Sequence, residues 1–161
     1  MTFDNDGDSF ENPPATADVP SRRVTRVATA RVAPEVVWGA ISDPRHLAGW
    51  LGDIATFPNG VQTGATGRIA WTGEIVLAVE VRSVEAPRRL VFAWSEGFMS
   101  DAASTVSITL KPDEHGTMIH LEESGFAFPP DDEASVLRAL RSLAQGWTLE
   151  LDELIAYVES L

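Results

Sequence analysis

The sequence contains no cysteine. Disulfide scaffolding, thiol catalysis and thiolate metal sites are thereby excluded. Long apolar runs are missing too. A run such as Ile75-Val76-Leu77-Ala78-Val79 stops at Glu80, far short of the roughly 20 residues of a membrane span. Positive charge is scarce: 12 basic residues face 24 acidic ones, for a net charge of −12. A phosphate-backbone binder carries the opposite balance, so neither nucleic acid nor an anionic membrane is expected as a partner. The N-terminus lacks the basic start and apolar stretch of a signal peptide, and a cytoplasmic location is expected.

What is present suits one globular domain. The 161 residues are 44% hydrophobic and 22% charged, enough to bury about 68–70% of the unfolded surface. Residues 1–20 read differently from the rest. Asp4, Asp6, Asp8, Glu11 and Asp18 stand there with Pro13, Pro14 and Pro20 and no Lys or Arg. This composition predicts a disordered acidic tail over 1–20 and a folded domain over 21–161.

From Arg22 onward, Val24, Arg26, Ala28, Ala30 and Val32 alternate with Thr25, Val27, Thr29 and Arg31, the pattern of a strand. Pro34 and the Asp43-Pro44 pair then open two short helices, each proline suiting a first helical turn and Asp43 a cap. Alternation returns in Ile54–Phe57, Arg68–Trp71, Glu74–Val84, at Leu90/Phe92/Trp94, at Val106/Ile108/Leu110 and at Ile119/Leu121. Short turns join these segments, among them Asp113-Glu114-His115-Gly116. Six or seven strands so connected make an antiparallel sheet. Val136, Leu140, Leu143, Trp147, Leu151, Leu154 and Val158 then recur at steps of three or four, predicting one helix over about 132–159. A helix of roughly 42 Å overhangs a flat sheet of short strands, so the expected architecture is α+β with a curved sheet wrapped around the long C-terminal helix.

Catalytic signatures are sparse. His46, His115 and His120 fall on a helix, a turn and a strand without a second ligand at i,i+4 spacing, so no metal is expected. No Gly-x-Ser-x-Gly elbow occurs, and no Lys-Ser/Thr follows Gly60, Gly64 and Gly67 as a phosphate loop requires. No cofactor is expected. Glu122 and Glu123, being adjacent, face opposite sides of a strand. Met118, His120 and Glu122 share one face, read as solvated, with a His120–Glu122 acid/base pair as the alternative. Among five tryptophans, Trp38 reads as core, whereas Trp94 and Trp147 lie on surfaces that must face each other. Gly146, inside the helix beside Trp147, predicts close approach of a neighbouring element, since a helical glycine costs roughly 0.5–1 kcal/mol.

Several segments together resemble a known family. They are Arg31-Val32-Ala33-Pro34-Glu35-Val36-Val37-Trp38 with Ser42-Asp43-Pro44; Leu47-Ala48-Gly49-Trp50; and Val84-Glu85-Ala86-Pro87-Arg88-Arg89-Leu90-Val91-Phe92-Ala93-Trp94. Val106–Leu110, Gly116-Thr117, Ser124-Gly125-Phe126 and Gly146-Trp147 with Leu151 and Leu154 continue the series. In order and spacing they resemble the START/Bet v 1-like (SRPBCC) superfamily, and within it the family of the activator of Hsp90 ATPase homologue 1-like C-terminal domain, over about residues 22–160. The resemblance implies a helix-grip fold with a cavity between sheet and long helix, used by relatives for apolar ligands. Where the family often has a Thr-His pair before Gly-Phe, this chain reads Glu122-Glu123-Ser124. The stimulatory motif of the Hsp90 activator has no counterpart, so the family name gives a chaperone partner little support.

On that fold, the expected function is a non-enzymatic binding module for a small apolar or aromatic molecule. The expected ligand pocket comprises Trp50 on the second short helix, Phe57, Trp71, Leu77 and Val79, Phe92 and Trp94, Val106 and Ile108, Ile119, Phe126, and Leu140, Trp147 and Leu151 on the long helix. No catalytic residue is assigned. The alternatives are a cyclase/aromatase- or hydrolase-like enzyme drawing on His120, Glu122 or Arg68, and a chaperone-associated or regulatory interaction protein. A homodimer is compatible with the sequence.

Overall fold

The structure, a computed structural model, describes residues 12–72, 75–96, 103–127 and 132–161. Its strands form one eight-stranded antiparallel sheet in the order β1-β2-β8-β7-β6-β5-β4-β3. The strands are β1 (Thr16–Asp18), β2 (Arg23–Ala30), β3 (Ile54–Thr56), β4 (Thr66–Ala70), β5 (Val76–Glu85), β6 (Arg89–Glu96), β7 (Ser104–Asp113) and β8 (Gly116–Ser124). Helices α1 (Pro34–Ser42) and α2 (Pro44–Leu47) follow β2, and α3 (Glu133–Glu159) closes the chain. The sheet has one strand more than the upper expectation, because β1 forms inside the segment read as tail.

Local chemistry explains each boundary. Pro34 and Pro44 occupy first-turn positions, and the Asp43 carboxylate accepts from Arg45 N at 2.9 Å as the α2 cap. Asp43 is held down to about 2, first by its side-chain hydrogen bond to Arg45 and then by the Arg45 backbone N–H. Asp132 caps α3 in the same way, accepting from Ser135 N at 2.8 Å. In β2 the predicted alternation is realised: Val24, Arg26, Ala28 and Ala30 are buried and Val27 is exposed. A register shift between Val81 and Ser83 in β5 adds the local bend that such irregularities impose on a sheet.

The core lies between the sheet's inner face and α3. Val136, Leu140, Ala144, Trp147, Leu151, Leu154 and Val158 form the buried stripe of that helix, each large apolar side chain contributing about 1.5–3 kcal/mol by burial. The helix backbone comes closest to β1, β2 and α1. Small inner-face residues, Ala28 and Ala30, permit that approach. Toward β5 and β6, the space between helix and sheet is occupied by tryptophan rings.

Two expectations need correction. Residues 12–20 are not a free tail. β1 pairs antiparallel with β2, from Thr16 opposite Thr25 to Asp18 opposite Arg23, Ala15 N donates to Thr148 Oγ1 at 2.9 Å, and Asn12 makes a two-way bond with the Thr29 backbone. Composition misjudged the segment because its apolar contribution is small; what holds it is backbone pairing and the buried Arg26. That guanidinium donates to Pro13 O at 2.8 Å, to Thr148 O at 2.7 Å and to Asp152 Oδ1 at 2.7 Å. Residues 1–11 lie outside the described residues. Gly146 does not mark a close approach either: a Cβ built on it meets nothing within 4 Å. It borders open space.

Candidate functional site

The open space beside Gly146 is a groove of about 700 Å³, walled by β5 and β6 on one side and α3 on the other, within the usual range for small-molecule sites. Trp71, Leu77, Trp94, Phe126 and Trp147 from the predicted pocket line it, joined by Leu51 and Leu143. Three indoles organise it. The rings of Trp94 and Trp147 stack at 5.5 Å with 17° between planes, and Trp71 meets Trp94 edge-on at 6.5 Å. Phe92 packs edge-on against Trp94 from the core side, at 5.2 Å.

At the groove's floor lies Glu123, only 2% exposed. A carboxylate taken out of water must be hydrogen-bonded or it is costly. Here Trp147 Nε1 donates to Oε1 at 2.7 Å, while Trp94 Nε1 at 2.9 Å and Ser104 Oγ at 2.5 Å donate to Oε2. The register explains the convergence. Glu123 sits opposite Val106 in β7, Val106 opposite Phe92 in β6, and Trp94 opposite Ser104. All therefore face the helix, and Trp147 closes the constellation from above. Sequence reasoning overlooked Glu123, although a signal was present: continuing the alternation of Ile119 and Leu121 by two residues points it inward.

A second carboxylate, Glu150, stands one helical turn beyond Trp147 and also lines the groove. Burial, then the nearby Glu153, and to a lesser degree Asp53 push its carboxyl up to about 7, against a lowering influence of Trp71. Its Oε2 atom is buried and has no hydrogen-bond partner among the described residues.

The remaining predicted pocket residues lie elsewhere. Val106, Ile108, Ile119, Leu140 and Leu151 are at most 1% exposed and belong to the packed core. Phe57, Val79 and Phe92 surround a separate internal void of about 20 Å³, about the size of one water molecule. Leu51 borders both spaces. Trp50 is buried in the turn after α2 rather than on that helix, and its Nε1 donates to Ala40 O at 2.9 Å, tying the turn to α1. It lines a neighbouring surface groove with Trp71 and Glu150.

The residues named for enzyme chemistry do not enter the groove. His120 is exposed on the outer face, across from Val27. Glu122 pairs with Arg23 at 2.5 Å on that same face, and Arg68 is exposed on β4. His46 Nδ1 instead meets Tyr157 Oη at 2.6 Å beneath α3. Among the described residues, no group of three or more His, Cys, Asp or Glu side chains could hold a metal ion, and no helix is long and apolar enough to cross a membrane.

Known structures share this architecture. Protein MLL2253 from Mesorhizobium loti is 27% identical with a TM-score of 0.73, matching 86% of this chain and 98% of its own. DynU16, described as a protein of the dynemicin biosynthetic locus, is 25% identical with a TM-score of 0.72; the match covers 86% of this chain and 47% of DynU16. A Rhodobacter sphaeroides protein at 22% identity and a TM-score of 0.71 shares the fold over 94% of this chain and 99% of its own. No curated protein sequence is significantly similar. The family described as Activator of Hsp90 ATPase homolog 1-like protein matches residues 31–159. With that match spanning most of its length, on a helix-grip fold of the SRPBCC type, the chain belongs to the Activator of Hsp90 ATPase homolog 1-like family.

Proposed function

We propose that the protein is a binding module for a small apolar or aromatic molecule, held between β5–β6 and α3. The observation that carries this reading is the groove of about 700 Å³ walled by Trp71, Trp94 and Trp147. The half-buried rings of Trp71 and Trp94 offer a ligand ring large apolar area, with about 0.5–1.5 kcal/mol per well-oriented aromatic pair beyond burial. The Glu123 bonds hold two of the rings in place before a ligand arrives, so little side-chain entropy remains to be lost on binding. The likeness to DynU16, described as belonging to a biosynthetic locus, supports a small organic molecule as occupant. Within this reading the protein works in the cytoplasm, without a nucleic-acid partner, as its net charge of −12 favours.

Tryptophan fluorescence tests the reading directly, because three of the five indoles line the groove. A panel of lipids, sterols and polycyclic aromatic compounds is titrated while emission and Tm are followed. A true ligand should quench or shift emission and, at a hundredfold excess over Kd, stabilise the fold by about 2.7 kcal/mol. A panel that changes neither quantity removes the support for a binding module.

A further inference from the structure

The charge lining the groove is of one sign. Glu96, Glu123 and Glu150 border it, and no Lys, Arg or His does. The segments outside the described residues cannot supply a missing cation side chain: all 12 Lys and Arg residues and all three His fall within the described ones. Four arginines are paired elsewhere, Arg23 to Glu122, Arg26 to Asp152, Arg31 to Glu159 and Arg82 to Glu80. The adjoining groove across Trp71 adds Asp53 and Glu153, beside an Asp152 already paired with Arg26, so the approach to the site is negative as well.

The aromatic walls fit the same sign. An indole face attracts cations through its quadrupole. Trp94 and Trp147 each donate their N–H to the Glu123 carboxylate, and Trp71 lines the groove together with Glu150. Donation to an anion polarises a ring toward greater electron density, as chained hydrogen bonds polarise one another. Glu150 Oε2 is buried, lines the groove and lacks a donor. A buried acceptor left unpaired is costly, and an N–H donor carried by a ligand would satisfy it.

We propose that the groove selects molecules carrying a protonated amine on an aromatic body, with the amine at Glu150 and the rings among Trp71, Trp94 and Trp147. This rests on the groove being a binding site at all, as proposed above, and it deepens that reading by naming the ligand's charge. A neutral hydroxyl can donate to Glu150 Oε2 but brings no positive charge to the carboxylates, and an anionic ligand adds repulsion from them.

Three probes with one aromatic body separate the two claims: 2-naphthylethylamine, 2-naphthylethanol and 2-naphthylacetate, titrated calorimetrically into the full-length protein at about pH 8.5, where Glu150 is ionised and the amine still protonated. The amine is expected to bind about tenfold or more tightly than the alcohol, equivalent to about 1.4 kcal/mol, with the carboxylate weakest. In Glu150→Gln the ratio of amine to alcohol affinity should fall to about one. Equal binding of amine and alcohol, tightest binding of the carboxylate, or an amine preference that survives unchanged in Glu150→Gln overturns the charge assignment and leaves the groove a binding site. Binding of none of the three overturns the binding reading along with it.

Discussion

Trp147 donates its indole N–H to Glu123 Oε1 at 2.7 Å, so the middle of α3 is tied to the end of β8 through a buried carboxylate. Glu123 is at once a structural tie and the floor of the groove. Replacing it by alanine strands two indole N–H groups and the Ser104 hydroxyl. Buried donors left unpaired cost about 1–3 kcal/mol each, so Glu123→Ala should lose about 3 kcal/mol in urea unfolding. Glu123→Gln keeps one acceptor oxygen and should lose roughly half as much. An unchanged unfolding midpoint for the alanine variant would show that the tie carries no stability.

Glu150 makes stability pH-dependent in a definite direction. Its carboxyl is raised from 4.5 to about 7 in the folded state, chiefly by burial. Between those values the folded protein binds more protons than the unfolded one, so this group's contribution to stability falls as pH rises through the window and is flat beyond it. The side chain is only partly buried, and solvent screening reduces the effect to about 1–2 kcal/mol. The charged and titratable neighbours are Glu153 and Asp53. Glu150→Gln should flatten the decline between about pH 5 and 7 and raise Tm on the alkaline side. Parallel pH–stability curves for variant and parent would contradict the assignment.

Gly146 offers a test that separates fold from groove. Nothing lies within 4 Å of a Cβ built there, so Gly146→Ala should stabilise α3 by about 0.5–1 kcal/mol through helix propensity alone. Gly146→Leu should fold as well as the alanine variant, yet project into the groove and weaken any ligand found by fluorescence. Full ligand affinity in Gly146→Leu would place the binding site elsewhere.

Truncation addresses the N-terminal segment. Deleting residues through 20 removes β1, the Ala15–Thr148 bond and one acceptor of the buried Arg26 guanidinium. Thermal unfolding should report a loss above about 2 kcal/mol, beyond ordinary surface effects. Arg26→Met should cost about 2–3 kcal/mol, because the Thr148 and Pro13 carbonyls lose their donor. A truncated chain as stable as the parent would mean that β1 adds nothing to the sheet.

Sequence periodicity by itself determined the strands β2 and β5–β8, the α3 boundaries and which face of each turns inward. Side-chain direction in a strand or helix follows from backbone geometry over a few residues, and the burial of Val24, Arg26, Ala28 and Ala30 along Arg23–Ala30 is that rule in operation. It also carried the inward direction of Glu123, two positions beyond Leu121. Composition could not reveal that residues 12–20 pair with β2, because edge pairing depends on backbone hydrogen bonds and on a buried arginine 13 residues from Pro13. Only the tertiary structure decided which inward residues are packed solid and which border space. Val106, Ile108 and Ile119 are inward like Trp94, but α3 comes closest to β1 and β2 and leaves its room at β5–β6. That division is set by the register of the whole sheet and the seat of one helix upon it, relations between residues far apart in the chain that no local pattern encodes.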